Sequence, residues 1–261
     1  MKRREEQRKL KKDEGAASES EYEDEEDEES DEEDEEDPYD DEFKIPKNIW
    51  IVKPGENTNR GNGIQVCKTL ADIRNIVTKA SEEEGRHTFI VQRYIERPLL
   101  ISRRKFDIRA FGMLTSINGY LKGYFYEEGY LRTSSKKFNV NNLHNRYIHL
   151  TNDAVQKKSE DFGKYEAGNK LSYSDFQRII DQNHAEQNIC FYRDILPQMK
   201  RVVADSFKSV YRKIDPTKRT NSFEIYGFDF MFDEDFKLYL LEANTNPCLE
   251  LPCPLLTRVI S

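Results

Sequence analysis

In the stretch FEIYGFDFMFDEDFKLYLLEANTNP (223–247) two acids and an amide sit among apolar residues. Its alternation predicts two antiparallel strands. With Asp235–Phe236 as the turn, Asp229 lies opposite Glu242, Met231 opposite Leu240 and Phe232 opposite Tyr239. Asn244 shares the face of Glu242, because side chains alternate along a strand. Like charges directly opposite destabilise a sheet, and apolar neighbours raise that cost. A divalent cation between them removes the conflict. Two carboxylates and an amide oxygen are hard donors that suit Mg²⁺ with phosphate oxygens completing the shell. Asp229, Glu242 and Asn244 are therefore candidate metal ligands. A register slipped by one residue would instead place the acids on opposite faces as solvated groups.

Cations upstream could hold the phosphates. Lys53 ends the apolar run NIWIVKP, where a lysine can act as a point charge for phosphate. Arg60, Gly61 and Gly63 follow in a Gly- and Asn-rich loop that could bring backbone N–H groups close to a phosphate chain. The loop lacks the GxxxxGK[ST] pattern and by itself reads first as an ordinary surface turn. In KFDIRAF (105–111), Lys105, Asp107 and Arg109 are spaced by two and share one strand face. That face is either a polar wall for a nucleotide or an ordinary solvated surface. Arg132 precedes small hydroxyls in RTSS, which suits a carboxylate or phosphate. Thr151 and Asn152, in HLTN, could touch phosphate or serve as turn and cap residues. The four histidines show no metal-ligand spacing, and no Ser-His-Asp or Cys-His pattern supports a covalent nucleophile.

The elements that must position these residues follow from periodicity. Strands are predicted at 48–54, 63–67, 88–95 and 147–152. A hairpin is predicted over 105–116 and 119–126, turning at Asn118–Gly119. Helices are predicted over Leu70–Ala80 with Thr69 as N-cap, over 174–183 and over 188–213. Strands, then helices, then strands give an α+β domain.

Charge divides the chain. Residues 1–43 hold 23 acidic and 7 basic residues, and 44–261 hold 26 acidic and 34 basic, so a −16 segment precedes a +8 body. The acidic run cannot bury apolar area, and disorder is the expectation for 1–43. The basic body suits an acidic partner. There is no apolar run of about 18 residues, so no membrane-spanning helix is expected. The basic start has no apolar stretch after it and does not read as a signal peptide. Four cysteines without CxxC spacing read as reduced thiols.

Taken in order, WIVKP, RGNGI, VQRYIERPLLI, KFDIR, YLRTSS, HLTNDAVQK, GFDF and LLEANTNP resemble the tubulin tyrosine ligase-like family, a group of ATP-grasp type. The likeness runs over roughly 48–250. LRTSS and HLTNDAVQK…FGKYEAGN look closer to the tyrosine ligases of that family than to its polyglutamylases. The resemblance implies an ATP-grasp-like fold of antiparallel sheets with packed helices over 44–261, as an incomplete ligase domain. It implies ATP- and Mg²⁺-dependent attachment of a free amino acid (Tyr, Glu or Gly) to tubulin tails through an acylphosphate. Residue by residue it assigns Lys53 and Arg60–Gly61 to phosphate, and Gln92, Arg93, Tyr94 and Ile95 to the adenine hinge. It assigns Lys105 and Asp107 to the nucleotide, Arg109 and Arg132 to phosphate and substrate carboxylate, Thr151 and Asn152 to the phosphates, and Asp229, Glu242 and Asn244 to Mg²⁺. Tubulin or microtubules are the implied partner, with neither nucleic acid nor membrane, in the cytoplasm on the cytoskeleton, a cilium or a basal body. The alternative is a nucleotide- or tubulin-binding module without turnover.

Overall fold

The computed structural model describes residues 47–55, 61–85, 87–218 and 220–260. Arg60 and the acidic segment lie outside the described residues. Two antiparallel sheets and packed helices give the α+β architecture that the alternation predicts.

The smaller sheet has the order β2-β1-β3, from β1 (Trp50–Pro54), β2 (Gln65–Cys67) and β3 (Phe89–Arg93). Helix α1 (Leu70–Glu84) connects β2 to β3. Thr69 caps it as expected: its side chain accepts from the Asp72 N–H, and the Asp72 carboxylate accepts from the Thr69 N–H. Gly85, at φ 64°, ends the helix in the left-handed conformation.

The larger sheet has the order β7-β6-β5-β8-β9, with β4 (Leu100–Ile101) also paired to β5. Its long hairpin joins β5 (Arg104–Ile117) to β6 (Tyr120–Thr133) through Asn118–Gly119, both at positive φ as an Asn-Gly turn requires. β7 (Lys170–Ser172), β8 (Asn221–Phe232) and β9 (Leu238–Thr245) complete it.

One face carries the main core. Phe106, Ile108 and Ala110 of β5, Leu131 of β6, and Phe228, Phe230 and Phe232 of β8 pack against α4 (Tyr173–Asn183) and α5 (Leu196–Ile214). The single helix expected over 188–213 is divided. A wide π-type turn over Phe191–Ile195 precedes α5, because Pro197 has no N–H to bond one turn back. On the other face Phe111 and Tyr130 are covered by α6 (Pro254–Ile260) through Leu256 and Val259. The rest of that face is where the charged residues lie.

Two further expectations are corrected. YIHLTN is not a strand: Asn145 accepts from the Tyr147 N–H and starts a single helical turn, α2 (Arg146–His149), and α3 (Asp153–Gln156) follows Asn152. The β8–β9 turn is three residues, Glu234–Phe236, not two. The Asp233 carboxylate accepts from the Asp235 and Lys237 N–H groups, and Phe236 takes φ 59°. Phe232 then lies opposite Leu238, and Met231 opposite Tyr239. A bulge between the Asp229 and Phe230 pairs leaves Leu241 without a partner, and Asp229 returns to Glu242. That extra residue turns Leu240 towards the main core and Glu242 to the opposite face, beside Asp229.

The β5–β6 register also shifts, and Gly129 sits where a Cβ would overlap the Tyr173 hydroxyl and the Arg109 carbonyl. Gly129→Ala is therefore expected to lose about 2 kcal/mol or more in urea unfolding, by overpacking against backbone. An unchanged midpoint would show that the bulge relaxes freely.

Candidate functional site

The face opposite the main core carries a continuous row of charge. Alternation on β5 brings Lys105, Asp107 and Arg109 to it, and all three are buried, not the solvated surface the sequence also allowed. β6 adds Arg132, β8 adds Asp229, and β9 adds Glu242 and Asn244.

Asp229 is the centre. It is 2% exposed. Arg109 donates from Nε to its Oδ1 at 2.5 Å and from Nη2 to its Oδ2 at 3.1 Å, and Arg132 Nη2 lies 2.8 Å from Oδ2. Arg132 also forks onto both oxygens of Asp107, which accepts a third bond from the Thr151 hydroxyl at 2.8 Å. Burial by itself would raise the Asp229 carboxyl, but Arg132 and Arg109 outweigh it and hold the group at about 2. Burial likewise opposes the charge on Arg132, and Asp107 and Asp229 overcome it, so its affinity for the proton rises well above the ordinary value.

At the β9 end, Asn244 Nδ2 lies 3.1 Å from Glu242 Oε1 and 3.5 Å from Asp229 Oδ2. One atom of Asn244 thus stands within reach of both carboxylates, where a cation would. Rotating the amide by half a turn would present its oxygen to the same point. Glu242 is the more open acid. The donor set fits Mg²⁺, with Glu242 and Asn244 accessible and Asp229 already committed to two guanidiniums. Among the described residues no three His, Cys, Asp or Glu side chains form a self-sufficient metal cluster.

The smaller sheet closes over this end. Lys53 Nζ is 3.8 Å from Glu242 Oε2. Gly61, at φ 79°, accepts from Arg146 Nη2 at 2.9 Å, and a Cβ there would stand 3.1 Å from Asn152 Oδ1, so Gly61 lies against the HLTN segment. Gln92, Arg93, Tyr94 and Ile95 line a cleft of about 600 Å³ with Tyr239 and Leu240. Lys105 lies under Tyr94, its ammonium 4.6 Å from the ring centre. Burial lowers that ammonium to about 7 against the pull of Asp107, and Lys53 adds to the fall. Beside the row, Lys53 reaches Glu242, Thr151 reaches Asp107 and Asn152 lies against Gly61.

A profile of the tubulin-tyrosine ligase family matches residues 1–261. The chain belongs to the tubulin-tyrosine ligase family. It is similar to tubulin glycylase 3B of Tetrahymena thermophila, 36% identical over 78% of this chain and 16% of that protein. It is 34% identical to the human protein monoglycylase TTLL8, over 82% of this chain and 25% of that one. The bovine probable tubulin polyglutamylase TTLL9 is 31% identical, over 80% of this chain and 50% of that one. The chain thus spans between a sixth and a half of the length of these relatives.

Two residues of this family member join the site without having stood out in its sequence. Lys170 lies opposite Arg132 in the β6–β7 register; it is buried and paired with Asp153. His149, read as part of a strand, bonds to Tyr94. No local spacing marks them, since their partners are remote in sequence.

The anion of Asp229 favours the folded state above the ordinary carboxyl value of 3.8, and that contribution is lost as pH falls from about 4 towards 2. Asp229→Asn is expected to cost about 3–5 kcal/mol at pH 7 by leaving the buried Arg109 guanidinium without its carboxylate and Arg132 with Asp107 alone. Urea unfolding should show the gap narrowing below pH 4. A variant as stable as the parent at pH 7 would refute the pairing.

Proposed function

We propose that this chain carries the nucleotide and metal site of an ATP-dependent ligase that joins a free amino acid to the acidic tails of tubulin. The observation that carries the reading is the buried row Lys105–Asp107–Arg109–Arg132–Asp229, with Glu242 and Asn244 at its open end. Membership of the family and the names of the relatives support it. Those names make glycine the first amino acid to test, with glutamate and tyrosine beside it.

In this reading the adenine lies in the cleft at Gln92–Ile95, and Lys53, Lys105, Gly61, Thr151 and Asn152 surround the phosphates. Glu242, Asn244 and Asp229 would hold Mg²⁺, which supplies charge neutralisation on the phosphate oxygens. An acceptor carboxylate oxygen attacks the γ-phosphorus, the bond to the β-phosphate oxygen breaks, and ADP leaves. The amine of the amino acid then attacks the acyl carbon. Inorganic phosphate departs and the nitrogen gives up its proton. Negative charge grows on phosphoryl oxygens in both steps, and fixed cations placed there stabilise it without reorganising. Arg109 and Arg132 are held by Asp229 and Asp107 and so are preorganised for that charge. The +8 body would draw in an acidic tail.

The test is incubation with tubulin, ATP, Mg²⁺ and labelled Gly, Glu or Tyr. Incorporation of one label, lost in Glu242→Gln, is the expected result. ATP binding without incorporation of any of the three would favour the binding module instead.

A further inference from the structure

Lys105 is held by a hydrogen-bond chain that runs away from the site. Its Nζ donates to the His149 carbonyl at 2.8 Å and to the Tyr94 hydroxyl oxygen at 3.1 Å. The Tyr94 hydroxyl lies 2.8 Å from His149 Nδ1, and His149 Nε2 lies 2.7 Å from the Asn142 carbonyl oxygen. With a neutral imidazole, chemistry fixes the direction of these bonds. A carbonyl oxygen only accepts, so Nε2 carries the imidazole hydrogen. Nδ1 then has only a lone pair, so Tyr94 donates to it. The Tyr94 oxygen is left with its lone pairs for the ammonium, which can only donate.

The ring is locked in that form. It is 2% exposed, with Tyr94 edge-on at 5.5 Å and Phe138 edge-on at 6.2 Å. Burial first, and Lys105 second, push the imidazole down to about 4 against the Asn142 carbonyl, so it is neutral at pH 7. The charged or titratable groups that face Lys105 are Asp107, Lys53, Tyr94 and His149.

We propose that His149 is a positioning residue for Lys105. Its carbonyl and, through Tyr94, its imidazole occupy two of the three ammonium hydrogens and aim the third at a phosphate oxygen of the bound nucleotide. The proposal rests on the nucleotide reading above and adds a residue that touches neither nucleotide nor metal.

The test is a thermodynamic cycle on ATP affinity. His149→Phe keeps an aromatic ring and removes both nitrogens; Tyr94→Phe removes one hydroxyl and is the milder change. Each should weaken ATP binding about tenfold, the loss that follows when a hydrogen bond to a charged group is disordered. The two together should weaken it no further than one. In a Lys105→Met background His149→Phe should have no effect. His149→Asn, which can offer an acceptor to Tyr94, should recover most of the loss. If His149→Phe weakens binding equally with and without Lys105, the role is structural and the proposal fails, while the nucleotide reading stands. If the parent chain binds no ATP, both fail.

Discussion

The organisation of the charged face depends on one interaction, the carboxylate of Asp229 gripped by Arg109 and Arg132 inside the sheet. Its desolvation is tolerable only because two guanidiniums surround it, and theirs only because Asp107 shares Arg132. Removing any member leaves an uncompensated buried charge. The row therefore behaves as a unit that defines where the three central strands, β6, β5 and β8, lie relative to one another. A core of Leu and Phe would be cheaper to bury, and such a row is the kind of departure expected where a site must present fixed charge.

Glu242 reaches this row through the bulge on β9. The main core asks Leu240 to face α5, and in an unbroken strand Glu242 would follow it to that side. The unpaired Leu241 separates the two demands. The smaller sheet then contributes what the larger lacks, with Lys53 near Glu242 and Tyr94 over Lys105. A ligand between them would touch both sheets, and the cleft at Gln92–Ile95 opens at that seam.

Much of this was legible in the sequence. The period of two in KFDIRAF assigned its charged face correctly, and Asn118–Gly119 marked its hairpin. Asp229 opposite Glu242 was also read correctly, but for a partly mistaken reason. The turn is one residue longer than expected, and the bulge at Leu241 compensates. A bulge answers to the packing of both faces and leaves no mark in a single strand's alternation. The same limit hid the partnerships. Arg109 meets Asp229 across two strands 120 positions apart in the chain, and Lys170 meets Asp153 through a separate loop. His149 was misplaced because apolar alternation in YIHL imitates a strand, while the Asn145 cap, a local signal that was present, turns it into a helix. The motifs quoted for the family resemblance pointed to the family, and the family match agrees with them.

The central claim is that the open end of the row, at Glu242 and Asn244, takes the metal of a bound nucleotide. Equilibrium binding of ATP to this chain with and without Mg²⁺ tests it most directly, in the parent and in Glu242→Gln. The account predicts that Mg²⁺ tightens ATP binding at least about tenfold, the scale of one charge-assisted contact, and that the substitution abolishes the tightening while metal-free binding persists. Equal affinity with and without Mg²⁺, or a Mg²⁺ effect that survives Glu242→Gln, would contradict it.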